Sequence, residues 1–169
     1  VAAGRADVLF VVAGPIQKDG DMEKHRYYDE CIREAGKAGD AVKLLGEIPN
    51  PLDLLAASDI VVSPSSVTHF SRPVVEAWGA SKPVIAVRTE HMEDLITPEV
   101  NGMLVDPGDH TALAKCIVRI LDDRTLADKL GAEGKRRSRS DFDAERNFER
   151  IFDICTVFTR NVGNSGTRR

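Results

Sequence analysis

Short apolar runs that alternate with helical stretches constrain the fold of this chain more than any other feature of its sequence. Leu9-Phe10-Val11-Val12-Ala13 is the first such run; it is wholly apolar and is closed by Gly14-Pro15. Such a run is typical of a parallel strand that helices cover on both faces. Further runs occupy residues 42–45, 60–62, 84–87 and 103–105, and the run at 84–87 follows Lys82-Pro83. The alternation predicts an α/β domain with a parallel sheet and right-handed crossovers.

Helical periodicity and turn residues define the stretches between and after these strands. Asp109 is the expected N-cap of one helix, since its side chain can accept a hydrogen bond from the first turn. Apolar residues at helical spacing, such as Ile117, Leu130 and Phe152, are expected to pack against the sheet. We predict one domain over residues 1–160 and a disordered tail over residues 161–169, which lack an apolar pattern. The predicted helices are 22–37, 51–57, 73–80, 91–96, 110–121, 124–137 and 144–160.

Composition excludes several classes of protein. Only 5% of the 169 residues are aromatic, and the apolar runs are too short for a membrane span. The formal net charge of −4 argues against a nucleic-acid-binding domain, which normally has a basic surplus. Cys31, Cys116 and Cys155 fit neither a zinc site nor a disulfide framework, which favours a reducing compartment. We therefore expect a cytoplasmic protein that has no nucleic-acid partner.

The segment after the third predicted strand holds the best candidates for chemistry, because ligands of such sheets bind beyond the carboxyl ends of the strands. It contains Thr68, His69 and Phe70 and leads into a helix that begins near Ser71. The start of a helix presents free N–H groups and a positive dipole end, which favour a phosphate. Two interpretations of the next turn stay open. Glu76 binds hydroxyls near the cleft, or Ser71 only caps the helix and Glu76 faces solvent.

Four pieces of the sequence stand in an order that resembles the group 1, family 4 retaining glycosyltransferases. Together they extend over about residues 8–125. The pieces are Val42-Lys43-Leu44-Leu45-Gly46, Ser63-Pro64-Ser65, Arg72-Pro73-Val74-Val75-Glu76-Ala77-Trp78-Gly79 with Lys82-Pro83-Val84-Ile85-Ala86, and Asn101-Gly102-Met103-Leu104-Val105-Asp106-Pro107-Gly108. The resemblance implies the carboxyl-terminal, donor-binding domain of an enzyme with two facing Rossmann-like domains, the GT-B fold.

The resemblance also implies roles for individual residues. Glu76 matches the glutamate that binds the ribose hydroxyls of the nucleotide, and a carboxylate can accept both hydrogen bonds of a vicinal diol. Backbone N–H groups around Ser71 and Arg72 would face the diphosphate, although the Arg72 side chain is expected to point into solvent. Gly46-Glu47-Ile48 matches the strand end that lies against the base.

The sequence departs from the family pattern around the sugar in three ways. Thr68 stands where the family has a second glutamate, and Ser71 follows Phe70 where the family has glycine. Glu90 and His91 replace paired glycines beside the sugar. These changes leave several interpretations open: an unusual donor, a domain without turnover, or a carboxylate supplied by Glu90 in place of the one that Thr68 lacks.

We predict from these residues that the chain binds a nucleoside diphosphate-sugar as the donor-binding half of a retaining hexosyltransferase. The alternative is a non-catalytic nucleotide-binding or interaction module with the same fold. We assign no catalytic base and expect neither a metal nor a cofactor other than the donor substrate. A nicotinamide-dependent dehydrogenase is disfavoured, because no Gly-x-Gly-x-x-Gly follows the first strand.

The resemblance implies further elements that precede residue 9. In the family, a central first strand and a loop with an arginine and a lysine that bind the diphosphate come before this point. We therefore expect a carboxyl-terminal fragment that lacks its first strand, has the amino-terminal GT-B domain as its partner, and is inactive in isolation.

One basic run stands outside these motifs. Lys135-Arg136-Arg137-Ser138-Arg139 is expected to be a solvated helix end, with acidic residues nearby that dilute its charge. A peripheral contact with anionic lipid or with a phosphorylated acceptor is the alternative interpretation.

Overall fold

The predicted alternation of strands and helices is confirmed in a computed structural model, which describes residues 5, 7–15, 22–67 and 72–164. Side chains are described throughout these ranges except at 22–24 and 158–164. The strands are β1 (Phe10–Ala13), β2 (Val42–Gly46), β3 (Val61–Ser63), β4 (Val84–Val87) and β5 (Met103–Val105). The helices are α1 (Met22–Lys37), α2 (Pro51–Ala57), α3 (Arg72–Gly79), α4 (Glu90–Leu95), α5 (His110–Asp122), α6 (Arg124–Asp141) and α7 (Ala144–Asn164). A 3₁₀ turn over Gly39–Ala41 precedes β2.

The strands are parallel and fall into two groups. β4 lies in the middle of a three-stranded sheet, with β3 on one side and β5 on the other. β1 pairs with β2 in a separate group. The expectation that the strand at 9–13 is covered on both faces is wrong, since Leu9 is 52% and Val12 56% exposed. Among the described residues no pairing joins β1 to β3, so the single sheet expected from the sequence is divided at this point.

β4 is buried on both of its faces. Val84 and Ala86 belong to one apolar cluster, which includes Val74 and Trp78 of α3 and Met92 of α4. Ile85 and Val87 belong to a second cluster on the opposite face, where Ile117 and Ile120 of α5 and Leu126 and Leu130 of α6 pack. Side chains alternate between the two faces of a strand, so consecutive apolar residues require a helical layer on each side. The apolar run at 84–87 thereby fixes the layered architecture.

α3 and α6 approach each other closely because glycines face the contact. A Cβ built at Gly134 would overlap the fully buried indole of Trp78. A Cβ built at Gly131 would overlap the carbonyl oxygen of Ser81. Ser81 has a φ of 59° and lies in the turn that ends α3. That turn is a Schellman motif, in which Ser81 N–H donates to Trp78 O at 2.9 Å and Lys82 N–H donates to Ala77 O at 2.9 Å.

Two expectations about the end of the chain are wrong. α7 continues to Asn164, so residues 161–164 are helical instead of part of a tail, and residues 165–169 lie outside the described range. Ile151 and Phe152 are 60% and 61% exposed, although their helical spacing favoured packing against the sheet. An amphipathic pattern predicts a helix with an apolar face, but it does not identify what covers that face.

Smaller differences concern where elements begin and end. β3 is shifted by one residue toward its carboxyl end, and α3 and α4 each begin one residue earlier than predicted. α6 continues to Asp141, four residues beyond the predicted end. Asp109 is confirmed as the N-cap of α5, because its carboxylate accepts a hydrogen bond from Ala112 N at 2.8 Å.

We expect Gly131→Ala to destabilise the protein, although alanine has the higher helix propensity. The added Cβ would meet the Ser81 carbonyl, which is backbone and cannot rotate away. The free energy of unfolding should fall by about 1–3 kcal/mol, the usual range for an overpacked site. Urea denaturation followed by circular dichroism measures the change.

Gly36→Ala in α1 is the matched control, since no atom lies within 4 Å of its built Cβ. It should leave stability unchanged or raise it by up to about 1 kcal/mol. Equal stabilities of the two variants would contradict the close contact between α6 and the turn after α3.

Candidate functional site

The loops after β3, β4 and β5 start at one edge of the sheet, which we call the carboxyl-end edge. Its described residues are 64–67, 72–76, 88–91 and 106. Ser63 pairs with Ala86, and Val87 pairs with Val105, so the three strands end side by side. Ligands of parallel sheets bind at such an edge, because loops and helix starts converge there. The topology therefore brings the predicted loop after β3 next to the residues that follow β4.

Four of the predicted site residues lie outside the described residues. These are Thr68, His69, Phe70 and Ser71, in the loop between β3 and α3. The described part of that loop ends in a local turn, in which Val67 N–H donates to the Ser65 hydroxyl at 3.3 Å.

α3 places Arg72 and Glu76 at the carboxyl-end edge. Arg72 is the first residue of the helix and is exposed, as expected. Glu76 lies one turn further along and is half-buried. Within the described part of the chain, no side chain or N–H group binds the Glu76 carboxylate.

Glu90 and His91 form the start of α4. Thr89 is the N-cap of this helix, and its hydroxyl accepts a hydrogen bond from Met92 N at 3.3 Å. Glu90 is exposed and His91 is half-buried. A carboxylate in the first turn is stabilised by the helix dipole, so the position of Glu90 has a structural explanation that needs no ligand. The same position brings its charge to the carboxyl-end edge.

Arg88 is a residue of this edge that the sequence reasoning missed. Its Nε donates to Asp106 at 2.8 Å, and a terminal nitrogen donates to Glu93 at 2.9 Å. The hydrogen bond to Glu93, followed by that to Asp106, raises the pKa of the guanidinium above its usual value. Arg88 therefore neutralises two carboxylates at the edge. A cation placed directly after a buried strand was the sequence signal for this role.

The predicted base-binding residues lie at the end of β2. Gly46 has a φ of 68°, a conformation that glycine adopts without strain. Its carbonyl accepts a hydrogen bond from Gly14 N at 2.8 Å, which links the turns after β1 and β2. Glu47 is exposed and Ile48 is half-buried. The structure thus places this turn at the carboxyl end of the β1–β2 pair.

Asn101 and Gly102 have a structural role below the edge. Asn101 is buried, and its side chain accepts from Thr97 N at 2.7 Å and donates to Leu95 O at 3.3 Å. Its carbonyl accepts from the Trp78 indole at 2.9 Å. A Cβ at Gly102 would lie 3.0 Å from Val84 O, so the backbone approaches β4 closely. The Asn-Gly pair thereby connects α3 to the turn that leads into β5.

The described residues contain no group of three histidine, cysteine or acidic side chains that could hold a metal ion. Within the same ranges, no helix combines the length and apolar character needed to cross a membrane.

Sequence comparison relates the chain to known proteins. A family model described as glycosyl transferases group 1 matches residues 2–137. The lipopolysaccharide core biosynthesis glycosyltransferase LpsD of Rhizobium meliloti (strain 1021) is 32% identical over 143 residues, or 85% of this chain and 40% of that protein. The chain thus spans about two fifths of the length of this relative.

Structural comparison confirms the predicted fold class. Anabaena Alr3699/HepE in complex with UDP superposes with a TM-score of 0.83 at 25% identity, covering 92% of this chain and 43% of that one. The same protein in complex with UDP-glucose gives a TM-score of 0.80. Sucrose-phosphate synthase from Thermosynechococcus elongatus gives 0.79 at 27% identity, covering 89% of this chain and 38% of that one.

Thr89→Ala tests the local structure that holds Glu90 at the edge. Loss of the N-cap hydrogen bond should lower the free energy of unfolding by about 1 kcal/mol. Thr89→Ser, which keeps the hydroxyl, should stay close to the unsubstituted protein. Chemical denaturation of the three proteins measures both values, and an alanine variant as stable as the serine variant would contradict the capping role.

Proposed function

This chain belongs to the group 1 glycosyl transferases, and we propose that its carboxyl-end edge binds a nucleoside diphosphate-sugar as the donor. In the whole protein this donor would be used to transfer the sugar to an acceptor with retention of configuration. UDP is the first nucleotide to test, because the similar Anabaena structure contains it.

The position of Glu76 is the observation that carries this proposal. Glu76 is half-buried one turn into α3, and no other described residue binds its carboxylate. A carboxylate at this position can accept two hydrogen bonds from the vicinal hydroxyls of a ribose. Gly46-Glu47-Ile48, at the end of β2, would contact the base through backbone groups.

The start of α3 would face the diphosphate. Backbone N–H groups of a first helical turn are not used within the helix, and they carry the positive end of its dipole. Ser71 and Arg72 would supply such groups, while Pro73 has none to donate. Stabilising charge on the departing diphosphate and positioning the acceptor would supply the catalysis. We assign no protein nucleophile, catalytic base or metal to this step.

The acceptor site would lie largely on the rest of the whole protein. This chain spans 40% of LpsD and 43% of the Anabaena structure, so the greater part of each relative has no counterpart here. We propose that an amino-terminal GT-B domain completes the cleft, and that this chain alone binds nucleotide without catalysing transfer.

A non-catalytic nucleotide-binding module is a second candidate. It is favoured by Thr68, which carries no charge at a position where the family resemblance implies a carboxylate. Both candidates share the nucleotide site and differ only in turnover. Transfer of radiolabelled sugar from UDP-glucose by the full-length protein would support the first, and tight UDP binding without transfer would support the second.

Glu76→Gln should weaken UDP binding by about tenfold or more, because hydrogen bonds to a charged acceptor are stronger than those to an amide. Isothermal titration calorimetry measures the affinity. Glu149→Gln, which removes an exposed carboxylate from α7, is the control and should bind as the unsubstituted protein does. If the two variants bind UDP equally well, Glu76 does not contact the ribose.

Glu90→Gln tests whether Glu90 contacts the sugar. If it does, affinity for UDP-glucose should fall about tenfold while affinity for UDP stays the same, since only the sugar would lose a charged hydrogen-bond acceptor. The affinity of the same variant for UDP is the control. If the affinities for both ligands fall equally, or neither changes, Glu90 does not contact the sugar and only forms part of the α4 helix start.

A further inference from the structure

A concave surface, which we call the α6 cavity, lies at the opposite edge of the sheet. It has a volume of about 390 Å³ and is lined by Ser81, Asp128, Ala132, Lys135, Arg136 and Arg139. Ser81 belongs to the turn that leads into the amino end of β4. β4 has four residues, so the α6 cavity and the carboxyl-end edge are about 13 Å apart along the strand at about 3.3 Å per residue. The cavity is therefore separate from the proposed donor site.

Helical spacing divides the basic run of α6 between two surfaces. Asp128, Ala132, Lys135 and Arg139 follow one another at intervals of four, three and four residues, which places them on one face of the helix. Arg137 lies elsewhere: it donates to Asp94 O at 2.8 Å and pairs with Asp141 at 3.3 Å. The run is thus more than a uniformly solvated helix end, because one arginine connects α6 to α4 and the other cations line a cavity.

The acidic residues near the cavity are already paired. Arg124 Nε binds Asp128 at 3.0 Å, and Arg136 Nε binds Glu133 at 2.8 Å. The hydrogen bond to Glu133 also raises the pKa of Arg136, which keeps this side chain charged. In the part of the chain that the structure describes, neither Lys135 nor Arg139 forms an ion pair. Two cations thus line the cavity with no described acidic side chain paired to them.

The two walls of the cavity, α6 and the turn after α3, are fixed in position relative to each other. Gly131 lets α6 approach the Ser81 carbonyl, and Gly134 lets it contact the Trp78 indole. Ser81 itself is held by the Schellman turn at the end of α3. A site whose walls are already positioned loses less conformational entropy when a ligand binds, which favours binding.

We propose that the α6 cavity binds a phosphate group of a soluble metabolite or a lipid headgroup. Lys135 and Arg139 supply the positive charge, the terminal nitrogens of Arg136 supply further donors, and Ser81 lies on the facing wall. Charge-assisted hydrogen bonds to phosphate oxygens are the strong interactions that such a group of side chains can make. The chain as a whole has a formal net charge of −4, so its overall charge would repel an anion and the attraction must be local.

Pyrophosphate is the first probe, and ¹⁵N-HSQC titration reports where it binds. Addition of pyrophosphate should shift the amide resonances of Ser81 and Ala132. Lys135→Ala combined with Arg139→Ala should weaken this binding by about tenfold or more. Lys115→Ala combined with Lys129→Ala removes the same charge from exposed positions outside the cavity and should leave the affinity unchanged.

Two results would overturn the proposal. One is the absence of any pyrophosphate-dependent shift at Ser81 and Ala132, and the other is equal weakening by the two double variants, which would show a net-charge effect only. Glu76→Gln should not alter pyrophosphate binding in the α6 cavity. A negative result for this cavity can therefore be distinguished from a negative result for the donor site.

Vesicle sedimentation distinguishes the two sources of phosphate. Vesicles of phosphatidylcholine with phosphatidylglycerol are compared with phosphatidylcholine alone. Binding to the anionic vesicles that is lost in the Lys135→Ala, Arg139→Ala double variant would identify a lipid headgroup as the ligand. Pyrophosphate binding without vesicle binding would identify a soluble phosphorylated compound.

Discussion

The burial of β4 on both faces is the constraint on which the rest of the structure depends. Val84 and Ala86 require α3 and α4 on one side, and Ile85 and Val87 require α5 and α6 on the other. Burying each large aliphatic side chain contributes about 1.5–3 kcal/mol, so exposing either face would be costly in a protein of marginal stability. With β3 and β5 paired to it in parallel, β4 also fixes the edge at which their loops meet.

α3 connects the two surfaces that we propose as binding sites. Its first residue, Arg72, lies at the carboxyl-end edge, and the turn after Gly79 places Ser81 in the α6 cavity. The helix has eight residues and spans about 12 Å at about 1.5 Å per residue. The fully buried side chain of Trp78 holds it against Gly134 and the Asn101 carbonyl. Both surfaces are therefore built on one rigid element of the core.

The charges of the two surfaces are arranged differently. At the carboxyl-end edge, Arg88 is paired with Glu93 and Asp106, while no described residue pairs with Glu76. In the α6 cavity the relation is reversed, since Asp128 is paired with Arg124 while no described residue pairs with Lys135 or Arg139. The first surface suits ligand hydroxyls beside a helix start, and the second suits an anion. Counting charged residues along the sequence does not separate these cases, because pairing depends on which side chains the fold brings within contact.

The sequence by itself determined the layered α/β fold, because apolar runs of strand length and helical periodicity depend on neighbouring residues alone. It also predicted Asp109 as a cap and Glu76 as a residue of the edge, since each role follows from a position relative to a helix start. Only the tertiary structure decided that Arg88 pairs with Asp106, that the sheet divides between β1 and β3, and that Ile151 and Phe152 are exposed. These features depend on contacts between residues distant in the chain, or on their absence among the described residues, and local patterns contain no information about such contacts.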